Sequence, residues 1–400
     1  MTIYNKKILL LLAGVVLSFV SCSTTTGKND APDAVETIIT EVKNEYAPDK
    51  RVAIFNIETK KTKDGYVLKG SSNLPKAVNK FTKKLTEAKI HFTDSIEMLP
   101  APSLEGKTQG VIKLSAANLR GNPKHSAELV TQGTLGMPVN IYKKEGSWYL
   151  VQTPDHYIAW VDYGGVEPMD KEAFAKWKAG KKLIYTKTSG NSHAEANEEA
   201  QVISDLVAGN ILSLQGEKGN FYEVKYPDGR TAYVSKKEAA PYNEWVQSLE
   251  QTKEDLVSIS KTLMGLPYLW GGTSPKGVDC SGFTKTVYFL NGMIIPRDAS
   301  QQIHEGILVD DSKDFSKLQP GDLLFFGKKA TDSTKERVIH VGMWIGNNEF
   351  IHSAGSVHIS SMDKNASNYD EYNYNRYLRS KRILNEESKG LIDLKDKEVF

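Results

Sequence analysis

The stretch Tyr268-Leu269-Trp270-Gly271-Gly272, with Val278-Asp279-Cys280-Ser281-Gly282-Phe283 just beyond it, decides how this chain is read. Phe283, Val287 and Leu290 recur at helical spacing after Cys280, and Asn291-Gly292 supplies a stop, so the pattern predicts a helix over 280–290. Cys280 then sits in the first turn, where unpaired amides and the positive end of the helix dipole lower a thiol pKa. A nucleophilic thiolate also needs a base that later protonates the leaving amine. His340, in Ile339-His340-Val341-Gly342-Met343, is the candidate base, and His352, in Phe350-Ile351-His352-Ser353, the candidate to orient it. Both lie on predicted strands joined near 346–349. A plain two-residue turn at Asn347-Asn348 would set the rings on opposite faces. The spacing therefore predicts a three-residue loop at 346–348, with Asn348 as a left-handed bulge.

Working outward, residues 243–385 read as an α+β domain: helices come first, over 244–264 and 280–290, and strand signals follow at 322–326, 339–345, 350–353 and 357–361. The tail, 386–400, reads as polar and peripheral. Upstream, 111–242 holds an internal repeat at an offset of 73: Gly146 matches Gly219, Trp148-Tyr149 matches Phe221-Tyr222, Pro154-Asp155 matches Pro227-Asp228, and Ala159-Trp160-Val161 matches Ala232-Tyr233-Val234. Short strands punctuated by Gly and a Pro-Asp turn suit a small barrel, and the two copies (111–168 and 183–242) resemble bacterial SH3-like modules joined by a helical link over 169–182. Residues 31–110 predict a small α/β unit with strands at 51–57 and 65–70 and a helix over 74–88, ending at the break Leu99-Pro100-Ala101-Pro102-Ser103. No chemistry above scaffold is read there.

Composition narrows the function. Lys plus Arg number 51 against 49 Asp plus Glu, a net charge of +2. Residues 1–21, with Lys6 and Lys7 before an apolar run, read as a secretory signal; its removal leaves 49 against 49. A neutral chain is no phosphate-tracking nucleic-acid binder. Apolar residues at 40% and charged residues at 25% exclude a disordered tail or a multi-span membrane protein. Two cysteines are too few for a disulfide-held secreted fold. Small Ser21 before Cys22 resembles a bacterial lipobox, which implies a diacylated Cys22, attachment to a membrane, and a polar tether over 22–30; the alternative is ordinary secretion with Cys22 a bystander.

The motifs Asp279-Cys280-Ser281-Gly282-Phe283, Pro296-Arg297-Asp298-Ala299-Ser300-Gln301, Leu318-Gln319-Pro320-Gly321-Asp322-Leu323 and His340-Val341-Gly342, in that order, resemble the papain-like cell-wall cysteine peptidases of the NlpC family over about 255–385. Two SH3-like modules ahead, with Asn118-Leu119-Arg120, Ala127-Glu128-Leu129 and Gln152-Thr153-Pro154-Asp155, resemble its γ-D-glutamyl-L-diamino acid endopeptidases. The resemblance implies Cys280 as nucleophile, His340 as base and His352 as orienter. Glu128, Tyr157, Asp279, Ser281 and Asp298 are its implied substrate contacts, with Trp270 a wall of the cleft. It implies a peptidoglycan peptide with a free L-Ala amine as substrate, an envelope location and no cofactor; a monomer is expected. His156 and Ala159 depart from it, standing where the family has glycines around Tyr157-Ile158. Competing readings are action on intact wall, with the SH3-like pair as anchor, and a non-catalytic wall-binding lipoprotein. Locally, Asp298 with Gln301 is also a helix capping box and Glu128 a solvated strand residue. His340, His352 and His358 lack the helical spacing of a zinc pair, so no metal is expected.

Overall fold

The computed structural model describes residues 33–400; the signal, Cys22 and the tether lie outside the described residues. The first unit packs helices Ala34–Tyr46 and Pro75–Glu87 on a three-stranded sheet of Phe55–Thr62, Gly65–Ser72 and Phe92–Met98. Val35, Val42, Phe55, Leu68, Phe81 and Leu85 form its core. The strand expected at 51–57 begins only at Phe55, because Asp49 and Arg51 form a side-chain-bonded turn before it. The outer strand Phe92–Met98 is not foreseen: Thr93, Asp94, Ser95 and Glu97 are exposed and offer no apolar alternation.

Each repeat copy builds a seven-stranded sheet. The hairpin Pro138–Glu145 to Trp148–Gln152 corresponds to Ile211–Lys218 to Phe221–Lys225, and the matched turn glycines Gly146 and Gly219 have nearly the same left-handed φ, +56° and +57°. Glycine takes that region most readily, so the repeat preserves a turn geometry. The helical link is Lys171–Ala179, whose N-terminus is capped by Asp170.

In the last domain the helix Cys280–Leu290 lies against a six-stranded sheet ordered Ile307–Asp310, Tyr377–Arg382, Leu323–Lys328, Arg337–Gly346, Glu349–Ala354, Ser356–Ser361. Phe283 and Val287 of the helix meet Phe325, Val341, Met343 and Ile351 of the sheet in one core. The helix expected over 244–264 is two helices, Tyr242–Ser248 and Lys253–Thr262. The chain breaks at Gln251 (φ +57°) and restarts on a Thr252–Asp255 capping box. The tail is not peripheral. Ile392–Asp393 pairs with Met293–Ile294, and Leu394 and Phe400 are buried against Ile184 and Ile211 of the second module. These few apolar residues in a polar stretch fill a seam between domains.

The histidine hairpin reaches the expected parity by another route. Asn347 and Asn348 (φ +52° and +59°) form a two-residue turn with Gly346 opposite Glu349, and the extra residue is Ile345, bulged out between the pairs Trp344–Phe350 and Gly346–Glu349. That single insertion turns His340 and His352 to the same face.

Candidate active site

Asp279 ends the approach to the Cys280 helix as its N-cap, Oδ1 accepting from Gly282 N–H at 2.7 Å. It does more than cap. Arg297, almost completely buried, donates to Asp279 Oδ2 at 2.6 Å and to Oδ1 at 3.1 Å, and Gly271 N–H donates to Oδ2 at 2.9 Å. Ser281 Oγ accepts from Arg297 at 3.0 Å and donates to Asp279 at 3.2 Å. The polar atoms of Asp279 and Ser281 are thus committed inside the protein, holding the helix start, the Gly271 turn and Arg297 together. A buried carboxylate and guanidinium coexist only with such matched hydrogen bonds.

Cys280 is buried at the helix start. Burial pushes its thiol up to about 11, with the Asp279 charge adding, while the N–H groups of Val341 and Ser281 and the charge of Arg297 pull the other way. The expected depression by the helix start is outweighed by desolvation. Val341, the neighbour of His340, shares the core with Cys280, so helix and strand meet at one corner. Among the described residues no hydrogen bond joins Cys280 to His340; unliganded catalytic pairs are often loose.

His340 Nε2 and His352 Nδ1 are 2.8 Å apart, and His352 Nε2 is 3.0 Å from Ser360 Oγ. Two proton arrangements satisfy this chain. Asp370 Oδ2, 4.0 Å from His352 Nε2, favours a proton on that nitrogen. His352 Nδ1 is then the acceptor, His340 Nε2–H the donor, and His340 Nδ1 keeps a free lone pair. Burial first, then neighbouring cationic and imidazole groups, holds His340 well below the usual histidine range and His352 at about 3.

The helix start opens on a cleft of about 580 Å³ that Cys280 lines together with Glu128, Tyr157, Trp270, Asp279, Ser281 and Asp298. The Trp270 ring is 62% exposed and its Nε1–H donates to Glu128 Oε1 at 2.8 Å, so Glu128 is an aimed carboxylate rather than a freely solvated one. Tyr157 OH donates to Asp298 Oδ2 at 3.3 Å. Gln301 Oε1 accepts from Asp298 N–H at 3.1 Å, so Asp298 opens the short helix Ala299–Gln302 and also faces the cleft. His156 holds a left-handed φ of +65°, the backbone a glycine would supply, so the departure in sequence leaves the Tyr157 turn possible. The first module is locked in place: Gln132 exchanges hydrogen bonds with Thr273 and Ser274, and Thr131 Oγ1 accepts from Arg297 at 3.1 Å.

Sequence reasoning gave no role to Arg297, Ser360, Asp370 or Arg51. The one signal for Arg297 is its place in the motif Pro296-Arg297-Asp298; its burial and its pairing with Asp279 appear only in the fold. Ser360 and Asp370 act through His352 from a neighbouring strand and a loop. Arg51 comes from the supposed scaffold and lines the cleft.

The sequence pattern of the NlpC/P60 family matches residues 265–379, and that of the bacterial SH3 domain matches 115–167 and 188–239. A Bacillus cereus protein called gamma-D-glutamyl-L-lysine dipeptidyl-peptidase is 32% identical over 241 residues, covering 56% of this chain and 67% of its own length. The chain belongs to the NlpC/P60 family. It is a cysteine peptidase with an α+β papain-like domain behind two SH3-like modules. A probable endopeptidase NlpC homolog of Haemophilus influenzae is 31% identical over 202 residues, covering 48% of this chain and 90% of that protein. Dipeptidyl-peptidase 6 of Lysinibacillus sphaericus is 29% identical over 257 residues, 62% of this chain and 89% of that one. The crystal structure of an NlpC/P60 family protein from Bacillus cereus superposes with a TM-score of 0.57 at 28% identity, covering 69% of this chain and 99% of that chain.

Proposed function

We propose that this NlpC/P60 peptidase hydrolyses the γ-D-glutamyl–diamino acid bond of L-Ala-γ-D-Glu-diamino acid peptides in peptidoglycan turnover. The observation that carries this reading is the cleft itself: Cys280 on one wall, and two carboxylates, Glu128 and Asp298, from different domains on the others. Carboxylates so placed suit a substrate that begins with an ammonium group close to the scissile bond.

Cys280 gives its proton to His340 Nδ1 as the sulfur bonds to the γ-carbonyl carbon, and amides at the helix start stabilise the oxyanion. Collapse breaks the C–N bond, and the departing diamino acid nitrogen takes the proton from His340. Water then adds to the thioester with His340 as base, releasing L-Ala-γ-D-Glu and restoring the thiol. His352 fixes the His340 ring throughout.

The enzyme acts in the cell envelope as a monomer, held to a membrane by lipid on Cys22; the mass of the mature protein checks the lipid, and light scattering the monomer. The decisive assay offers free and N-acetylated L-Ala-γ-D-Glu-diaminopimelate and reads products by mass spectrometry. Cleavage of the free peptide, lost in Cys280→Ala and much reduced with the acetylated peptide, is expected. Equal rates on both peptides would reject amine recognition.

A further inference from the structure

The turn 49–52 of the N-terminal unit is wedged between the first SH3-like module and the peptidase domain. Its backbone is anchored on the module side: Ile158 N–H donates to Arg51 O at 2.7 Å, and Gln152 Nε2 donates to Val52 O at 3.2 Å. Its side chains reach the other way. Arg51 donates through one terminal nitrogen to Asp298 Oδ2 at 2.7 Å and to Ser300 Oγ at 2.9 Å, and through Nε and the other terminal nitrogen to Asp49 at 2.7–3.1 Å. Gln301 closes the circuit by donating to Asp49 Oδ2 at 2.9 Å. The guanidinium is only 31% exposed and Asp298 26%.

One cation therefore serves two carboxylates, and the trio Asp49–Arg51–Asp298 keeps one net negative charge. Arg297 does not cancel it, being paired with both oxygens of Asp279 and standing 3.8 Å from Asp298 Oδ1. Lys50, also at the cleft, is exposed to solvent, where its charge is screened. Asp298 is thus held by Oδ2, from Arg51 and Tyr157, with no side-chain hydrogen bond on Oδ1. Charges alternate from Asp49 through Arg51 to Asp298, and the next place in the series, in the cleft, calls for a cation.

We propose that Arg51 is a positioning residue for substrate recognition: the N-terminal unit reaches across to set the Asp298 carboxylate so that Oδ1, which has no side-chain hydrogen bond and only the 3.8 Å ion pair with Arg297, receives the substrate's terminal ammonium. This rests on the reading above that the cleft takes a peptide with a free amine. The unit is then part of the recognition apparatus rather than a spacer, and it acts on binding more than on the chemical step, because Arg51 touches neither Cys280 nor the histidines. Losing the tether frees the Asp298 side chain to rotate away, which weakens free-amine substrates and leaves capped ones unchanged.

Arg51→Ala tests this, since the backbone bonds that dock the turn survive the change. The expected result is a KM for free L-Ala-γ-D-Glu-diaminopimelate raised at least tenfold, with kcat within about threefold of wild type and a free-over-acetylated preference reduced by the same tenfold factor. Arg51→Lys, which keeps the charge but cannot bridge both carboxylates, recovers part of the loss, and Asp49→Asn shifts KM the same way by a smaller factor. An unchanged preference in Arg51→Ala, or an equal loss on free and capped peptide, overturns the inference while a discriminating wild type leaves the amine reading standing. A wild type that does not discriminate overturns that reading and this inference with it. If Arg51→Ala does not fold, Arg51→Lys and Asp49→Asn carry the same comparison.

Discussion

Lys285, in the middle of the Cys280 helix, forms a buried ion pair with Asp155 of the first SH3-like module, Nζ to Oδ2 at 2.7 Å, and also donates to Ile295 O at 3.0 Å. The pair crosses a domain boundary and lies on the helix that begins with Cys280, the proposed nucleophile. Removing one partner strands a charge away from water, at a cost of about 3–5 kcal/mol. Lys285→Met and Asp155→Asn should each lower stability by that order in urea unfolding, and the double variant should lose less than the sum. Strictly additive losses would show that the two groups do not sense each other.

Protonation of the histidine pair should limit stability in acid. His352 is held at about 3 and His340 well below its ordinary value, chiefly by burial, whereas in the unfolded chain both titrate near 6.5. Below that pH the unfolded state binds more protons, so stability rises with pH there. The contribution of each group is complete above about pH 6.5 and shrinks as pH falls toward its folded value, at up to about 1.4 kcal/mol per pH unit. Thermal midpoints of wild type should therefore fall steeply between pH 6.5 and 4, and those of His352→Asn less steeply. Parallel slopes would show that His352 is not held neutral.

In the proposed mechanism, Asp370 and Ser360 act on the reaction through His352. Asp370→Asn removes the charge that favours a proton on His352 Nε2, so a larger share of the enzyme carries its His340 proton on Nδ1, where it cannot serve as base. A drop in kcat of about tenfold is expected, a part of the roughly 10²–10⁴-fold that general-base catalysis contributes, with KM little changed. Ser360→Ala should give a smaller loss in kcat. A change in KM alone would place both residues in binding instead.

Trp270 aims Glu128. Trp270→Phe keeps an aromatic wall but loses the 2.8 Å indole bond, so Glu128 gains rotamer freedom and the KM of free-amine peptides should rise several-fold. On the proposed reading, acetylated peptide, which carries no ammonium, should show the same KM in both proteins. An equal rise for both peptides would assign Trp270 to general packing of the cleft.

Much of this was legible because the signals are local. Cys280 announces itself by a helix start and flanking glycines, and Gly271 and Gly282 show why those are glycines: a Cβ would lie 2.3 Å from Leu129 O in the first case and 1.9 Å from Gly272 O in the second. The 73-residue repeat is visible because each copy must rebuild the same turns. What stayed hidden depends on distant partners. Arg51 and Asp298 are 247 positions apart, and nothing in the periodicity around either foretells the other. The bulge lies at Ile345 rather than at Asn348, because parity demands one extra residue without saying which. The thiol's raised pKa depends on burial that no motif encodes.

The two SH3-like copies share a fold but have divided the labour. In the first, the Pro154-Asp155 turn sends its acid into the catalytic helix and the next residues deliver Tyr157 to the cleft. In the second, the matching Pro227-Asp228 turn ends in a local, solvent-facing pair with Arg230. The same turn thus serves as two different parts, one packed into the peptidase domain and one kept as a solvent-facing corner of its barrel. Grafting residues 227–233 onto positions 154–160 would keep Pro154 and Asp155, and with them the ion pair to Lys285, but would take Tyr157 out of the cleft, so the graft separates the docking of the module from its part in the cleft.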